Sequence, residues 1–358
     1  MTGIRSNSST IDDVVITASY LSGGVTSATL YAGPLNAVPT APLSNWNIFT
    51  PNFTGQMVTG SIFYGPNTNL FDPSLGVGNV RVVGSYKYSN NANPNFDHGM
   101  IYQGPVAGCP GGSSSCWTQI DPTSLVKPGE MLENTIAHST MGRLVVGDWD
   151  TNLAVGHAFV YNMGTASFAD LNPNGSLSVT AYGIWQNGNG SYTIAGGLSA
   201  IKNDGVDEGW LADYDAATMS LTHLKTFEFD NQPLTSLVSH FDGITGTANG
   251  YNLTGEFLTA GGNVGGFFAS VSRLPDGSFG EANWTPINFA YPGFTNVVLT
   301  TGNTVLGNDV LGIFTDVSSG QPVTLSYLAS VPTPEPGTLS MVGFGLGMLG
   351  LIGRRLRA

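Results

Sequence analysis

Charge is the scarcest feature of this chain. Only 10% of its 358 residues are charged while 41% are apolar, and 24 acidic residues against 11 basic ones give a net charge of −13. Three of the basic residues, Arg354, Arg355 and Arg357, stand together at the C-terminal end, and the others are scattered singly. Without a Lys/Arg cluster in the body there is nothing to neutralise a phosphate backbone, so nucleic acid is excluded as a partner. Histidine is sparse too. His98, His138, His157, His223 and His240 fall at no i, i+2 or i, i+4 spacing, and His157 reads as a packed strand residue. There is no His-Glu-x-x-His and no Gly-x-Ser-x-Gly elbow. The one Gly-x-Gly-x-x-Gly match, Gly345, Gly347 and Gly350, lies in an apolar run with no preceding strand, so it reads as chance.

Cysteine is limited to Cys109 and Cys116, in Cys-Pro-Gly-Gly-Ser-Ser-Ser-Cys. The spacing is not Cys-x-x-Cys, which argues against zinc. A turn-rich loop of this kind can close a disulfide ring, worth roughly 2.5 kcal/mol in the loop-entropy model. Such a bond needs an oxidising compartment. Two idle thiols are the alternative. Calcium finds little better support. Asp148-Trp149-Asp150-Thr151-Asn152 and Asn203-Asp204-Gly205-Val206-Asp207-Glu208 each gather oxygens into one turn, but either supplies about half of the ~6–8 ligands calcium takes. No metal and no cofactor is expected.

What is abundant is glycine, with 49 residues, among many Ser, Thr and Asn. Few charges with many apolar residues exclude a disordered chain and point to short strands joined by polar turns. One pattern recurs along the body: aliphatic residues flanking a small one, then an aromatic or aliphatic residue. The small residues are Ala18, Gly84, Gly147, Gly196, Gly255 and Gly312. A second pattern follows each copy, most plainly in Tyr31-Ala32-Gly33-Pro34 and Tyr102-Gln103-Gly104-Pro105. A third follows in most units, as in Trp46-Asn47-Ile48-Phe49 and Trp117-Thr118-Gln119-Ile120. A strand also precedes the small residue, as in 58–63, 179–184 and 297–300. Each unit therefore reads as four antiparallel strands, over 1–54, 55–124, 128–173, 176–231, 232–290 and 291–331. Repetition at this period predicts an all-β fold, a β-propeller of about six four-stranded blades, with a β-sandwich or solenoid as the alternative. The small residue is expected where backbones crowd near the axis. Val155-Gly156-His157-Ala158-Phe159-Val160-Tyr161, with Ala169-Asp170-Leu171-Asn172, is similar to the HAF-type repeat of bacterial surface propellers.

The last stretch has three parts in order. Pro332, Pro334 and Pro336 space a stiff segment around Glu335; Thr338 to Gly353 is uncharged; then come Arg354, Arg355 and Arg357. As a helix the uncharged run would reach roughly 24 Å, short of a hydrocarbon core of ~30 Å. Its glycines weaken it further, each by about 0.8–1 kcal/mol. A short transmembrane-type helix of this sort suits a temporary handle, with the arginines on the cytoplasmic side. Pro334-Glu335-Pro336, the glycine-rich run and the arginine cluster together resemble the PEP-CTERM sorting signal. That resemblance implies a Gram-negative exported protein processed by an exosortase, a membrane transpeptidase. It also implies transient anchoring in the inner membrane, then release to the cell surface or extracellular matrix. Members of that kind carry a secretion signal. Met1 to Asn7 has no apolar stretch, so a start lying upstream is expected.

Two domains follow: a repeat body over 1–331 and a sorting signal over 332–358. The body is expected to be a non-enzymatic binding or structural surface, with exopolysaccharide or another surface polymer as its partner. The alternative is a secreted carbohydrate-active hydrolase whose acids converge at the propeller mouth, with Asp148, Asp150, Asp204 and Asp207 as first candidates.

Overall fold

A computed structural model describes residues 1–8, 13–153, 155–199, 207–231, 236–259, 262, 264–287 and 292–332. Turn glycines and alternating strands give the expected all-β chain. The first sheet is β1 (Gly3–Ser6), β2 (Asp13–Ser22), β3 (Val25–Pro34) and β4 (Trp46–Phe49). The second is β5 (Val58–Thr68), β6 (Asn79–Tyr88), β7 (His98–Pro105) and β8 (Trp117–Ile120). The third is β9 (Leu132–Met141), β10 (Leu144–Thr151), β11 (Gly156–Asn162) and β12 (Ser167–Leu171). The fourth is β13 (Ser178–Gly188), β14 (Ser191–Ser199), β15 (Asp207–Asp215) and β16 (Ser220–Phe227). All four pair their strands in chain order, antiparallel, in a propeller-like arrangement.

The remaining strands are β17 (Ser236–Thr247), β18 (Gly250–Thr259), β19 (Val264–Arg273), β20 (Phe279–Ile287), β21 (Val297–Thr300), β22 (Thr304–Leu306), β23 (Asp309–Asp316) and β24 (Val323–Ser330). They form one eight-stranded sheet, in which Val264 of β19 meets Leu299 of β21 in parallel. The expectation of about six separate blades is corrected here: four sheets of four strands stand alone. The physical reason is one parallel pairing between units, Val264 with Leu299. The strand at 297–300 sits against β19 as well as β23, and so links the last two units. The sorting run at 338–353 and its expected helix lie outside the described residues. Among the described residues no helix is long and apolar enough to cross a membrane.

The core is divided between neighbouring sheets. Val15 and Leu30 of the first sheet pack on Phe63, Val82 and Met100 of the second. Ile4, Val14 and Ile16 pack on Leu306 and Leu311, which brings the first sheet against the last unit. The Met1 amine donates to Ser326 Oγ at 2.7 Å and Asn303 Nδ2 donates to Met1 O at 2.9 Å across the same seam. The second repeated pattern has a local cause. Tyr31 OH donates to Pro34 O and Tyr102 OH to Pro105 O, at 2.9 and 2.7 Å. The ring thus folds over the intervening Gly33 or Gly104, where a Cβ would sit 2.9 Å from the hydroxyl.

The recurring small residue has a sharper explanation than crowding between blades. It lies on the second strand of its sheet, and the first strand's own carbonyl passes over it. A Cβ on Gly84, Gly147, Gly196 or Gly255 would stand 2.0, 2.1, 2.0 or 1.9 Å from the carbonyl oxygen of Ile62, Ile136, Thr180 or His240. Gly312 meets Thr301 O in the same way, at 1.9 Å. Ala18 lies one residue beyond the β1–β2 ladder, which ends at Thr17. Adding a methyl at such a point forces the backbone to move, at a cost of about 2–3 kcal/mol. Gly196→Ala and Gly255→Ala are each expected to lower unfolding free energy by that amount in urea titration. Gly60→Ala, whose Cβ meets nothing nearer than 3.8 Å, should stay within about 0.5 kcal/mol.

Candidate functional site

In the second to fifth units the first strand carries one residue too many at this crossing. Register shifts fall between Phe63 and Pro66 in β5, and opposite Val146/Gly147 in β9, where His138 is the extra residue. In β13 the extra residue is Tyr182, and in β17 it is Asp242. A β-bulge bends its strand and re-aims a side chain. Here the bulges gather polar and aromatic groups around one small cavity of about 20 Å³, lined by Arg5, Gly65, His138, Tyr182, Asp242 and Asn303 among others. The lining comes from every unit of the chain, which places this cavity on the common axis.

The side chains there form a row. Ring centroids of Tyr64 and His138 are 4.8 Å apart, those of His138 and Tyr182 4.2 Å, and those of Tyr182 and His240 5.3 Å. Carboxylates flank it. His138 Nε2 lies 2.5 Å from Asp148 Oδ1, a close contact without hydrogen-bond alignment. His240 Nε2 lies 3.1 Å from Asp242 Oδ1 and 3.5 Å from Glu256 Oε1. Burial opposes a charge on His240, but Asp242, Glu256 and Asp207 outweigh it and raise the ring to about 9. Burial, with Asp242 nearby, pushes the Glu256 carboxyl above its usual range. Burial also raises the Tyr64 and Tyr182 phenols, with Asp148 adding to both. From the opposite side, Arg5 reaches the fourth sheet. Its Nη2 donates to Ile184 O at 3.3 Å and its guanidinium carbon stands 5.7 Å from the Trp185 ring centroid.

Two carboxylates converging on one imidazole are the makings of acid–base chemistry. Free space beside them is small. The axial cavity of about 20 Å³ and its neighbour of about 110 Å³, beside Thr180, Tyr182, Asp207 and His240, fall below the ~300–1,000 Å³ of ordinary ligand pockets. A concavity of about 670 Å³ lies at the seam and has Tyr20, Trp46, Phe314 and Leu325 in its wall. Among the described residues its lining side chains include no Asp, Glu, His, Lys or Arg. Among the described residues no group of three His, Cys, Asp or Glu could hold a metal ion.

The expected acids scatter in role. Asp148 is on the axis against His138. Asp150 accepts from Asn134 N and Nδ2 at 2.8 and 3.1 Å, and Asn134 Oδ1 accepts from Asp97 N at 3.0 Å, so it ties the third sheet to the second. Asp207 accepts from Ser199 Oγ. Asp204, Pro334, Glu335, Pro336, Arg354, Arg355 and Arg357 lie outside the described residues. Cys109 and Cys116 form a disulfide with Cα atoms 6.0 Å apart, in the connection before β8. His157 stacks on Trp149, centroids 4.4 Å apart. Sequence reasoning missed Tyr64, Tyr182, Asp242 and Glu256. The signal available was cross-strand: His240 sits opposite Glu256 in the β17–β18 register.

The His240 ring titrates near 6.5 when unfolded and about 9 when folded. Its stabilising contribution is therefore complete below pH ~6.5 and lost as pH rises through ~9, with a ceiling of roughly 3 kcal/mol. Unfolding free energy measured from pH 6.5 to 9 should fall in the natural protein and stay flatter in His240→Gln.

Comparison with known proteins bears on the two ends of this picture. A GH43_1 enzyme from Xanthomonas citri complexed with xylotriose is 9% identical, over 81% of this chain and 92% of that one, at a TM-score of 0.39. A fucose-specific lectin from Aleuria aurantia is 12% identical over 92% and 98%, at 0.37. A puromycin hydrolase S511A mutant complexed with PGG is 14% identical over 90% and 46%, at 0.41. At such values the similarity carries no statement about activity. No curated protein matches the chain in sequence. Residues 332–358 match the PEP-CTERM protein-sorting motif, so the chain carries a sorting signal of exported proteins behind a propeller-like body.

Proposed function

We propose that this is an exported cell-envelope or matrix protein with two parts. Residues 332–358 serve as the address, held for a time in the inner membrane and cut by an exosortase-type transpeptidase. Residues 1–331 serve as a non-enzymatic binding or structural surface, with exopolysaccharide or another surface polymer as the partner. The observation that carries the reading is the sorting motif at 332–358. Two features of the body support it. The acids on the axis are packed around tyrosine and histidine rings with little free volume. The seam groove of about 670 Å³ has no acid or base among the described side chains of its wall. A Cys109–Cys116 disulfide fits delivery to an oxidising compartment.

A second reading, a secreted carbohydrate-active hydrolase, is favoured by one observation. Asp242 and Glu256 share His240, and the Glu256 carboxyl is raised toward the range of a general acid.

Two measurements separate these. Expressed beside an exosortase, the protein should lose its C-terminal residues by intact mass. It should keep them without the enzyme, or when Pro334, Glu335 and Pro336 are all changed to Ala; a full-length tail in every case sinks the sorting reading. Incubated with envelope polysaccharide, the body should release no new reducing ends. Release that Glu256→Gln abolishes would establish the hydrolase instead.

A further inference from the structure

A cleft of about 290 Å³ opens between the fourth and fifth units, beside the turns that join β13 to β14 and β17 to β18. Each wall has a local cause. In β13 a second register shift falls between Gln186 and Gly188, which makes Asn187 an extra residue. The bulge turns its side chain across to the fifth unit. Asn187 Oδ1 accepts from the Tyr251 hydroxyl at 2.8 Å, and Asn187 Nδ2 donates to Thr193 Oγ1 at 2.9 Å. In the fifth unit Thr247 pairs with Gly250, which leaves Ala248-Asn249 as a two-residue turn and exposes Thr247 and Asn249. Between these walls lies Trp185. Its pyrrole edge rests on Gly246, where a Cβ would stand 2.1 Å from Nε1. Phe71 meets the indole edge-on, centroids 5.6 Å apart, and the Arg5 guanidinium carbon is 5.7 Å from its centroid. The ring is therefore fixed before any ligand arrives, which lowers the cost of binding.

The charge of the cleft is matched from within. Arg273 Nη1 donates to Asp213 Oδ2 at 2.9 Å, and its Nη2 pairs with Asp213 Oδ1. The same guanidinium donates to Gly277 O, Thr193 Oγ1 and the Tyr251 hydroxyl. Among the described residues the cleft wall holds no other charged side chain. What faces a ligand is neutral. Asn187 has a second amide hydrogen to give, and the exposed Thr247 and Asn249 side chains can both donate and accept. The volume stands at the foot of the ~300–1,000 Å³ range of ordinary ligand pockets, so it suits one ring. An uncharged, hydroxyl-rich ring meets these terms. Its hydroxyls donate and accept in turn, and its C–H groups can lie on the indole. An anionic unit would find Arg273 already neutralised, on a chain of net charge −13.

We propose that this cleft binds one neutral sugar unit of a surface polysaccharide, held by Asn187, Thr247 and Asn249 against Trp185. The proposal rests on the reading of the body as a polymer-binding surface, and it names the site and the class of sugar.

The test titrates the full-length protein with neutral oligosaccharides of glucose, galactose, mannose and rhamnose, and with oligogalacturonate as the anionic control. Binding is followed by calorimetry and tryptophan emission. At least one neutral member should bind, and oligogalacturonate at least tenfold more weakly. Thr247→Ala combined with Asn249→Ala, both at exposed positions, should weaken that binding at least tenfold at an unchanged unfolding temperature. Gly246→Ala, which displaces the indole without removing a polar group, should weaken it as well. Equal binding by the natural protein and the double variant overturns the cleft and leaves the polymer reading standing. Preference for oligogalacturonate overturns the cleft too. So does failure of every neutral member to bind; if whole envelope polysaccharide is also not retained, the polymer reading falls with it.

Discussion

The closest approach in this fold is between a carbonyl and a missing side chain. In the second to fifth units the second strand offers a glycine, and the first strand's carbonyl oxygen occupies the place where a Cβ would be, 1.9–2.1 Å from the ideal position. That approach accompanies a register shift, and the shift supplies an extra residue aimed at the axis. The glycine therefore does two things. It admits the bulge, and through the bulge it decides that Tyr64, His138, Tyr182 and Asp242 meet in the middle. The axial row of rings, and the ionic contacts along it, are a consequence of backbone geometry repeated from sheet to sheet.

This explains which parts were legible in the sequence. The small residues at 84, 147, 196, 255 and 312 were visible because glycine is the one residue the geometry permits, so the pattern survives where everything around it varies. Tyr-x-Gly-Pro was visible for the same kind of reason: ring, glycine and acceptor carbonyl lie within three residues. The three-part tail was legible because its pieces are contiguous in the chain and stand in the order of the sorting motif that 332–358 match. The axial site was not. Its partners lie on different strands, and His240 meets Glu256 only through strand register. Spacing along the chain led to Asp150, which instead braces a neighbouring sheet through Asn134. Nor did the spacing reveal that β21 would lie against β19 and merge the last two units.

Scarcity of charge gives the axis its character. In a body with so few ionisable groups, several of them are placed together and out of water, where they must satisfy one another. Arg5, 4% exposed, uses backbone carbonyls and the face of Trp185, and burial lowers it to about 10. His240 keeps its proton because acids surround it. Such an arrangement holds sheets in fixed relation, since each group would be left costly and unmatched if its neighbour moved away. The same logic accounts for Arg273, which grips Asp213, Thr193 and Tyr251 and so binds the fourth unit to the fifth.

Every ladder in the first four sheets joins strands that are consecutive in the chain, and none borrows a strand from the far end. For a polypeptide threaded outward through a membrane, amino end leading, each module has all the residues its own hydrogen bonds require as soon as it has emerged. Nothing has to wait for a distant partner, so the slow search for long-range pairings is avoided. Only the join between the first module and the last must come at the finish. The body is built so that its modules can assemble one after another in chain order, with a single closing contact left for the end.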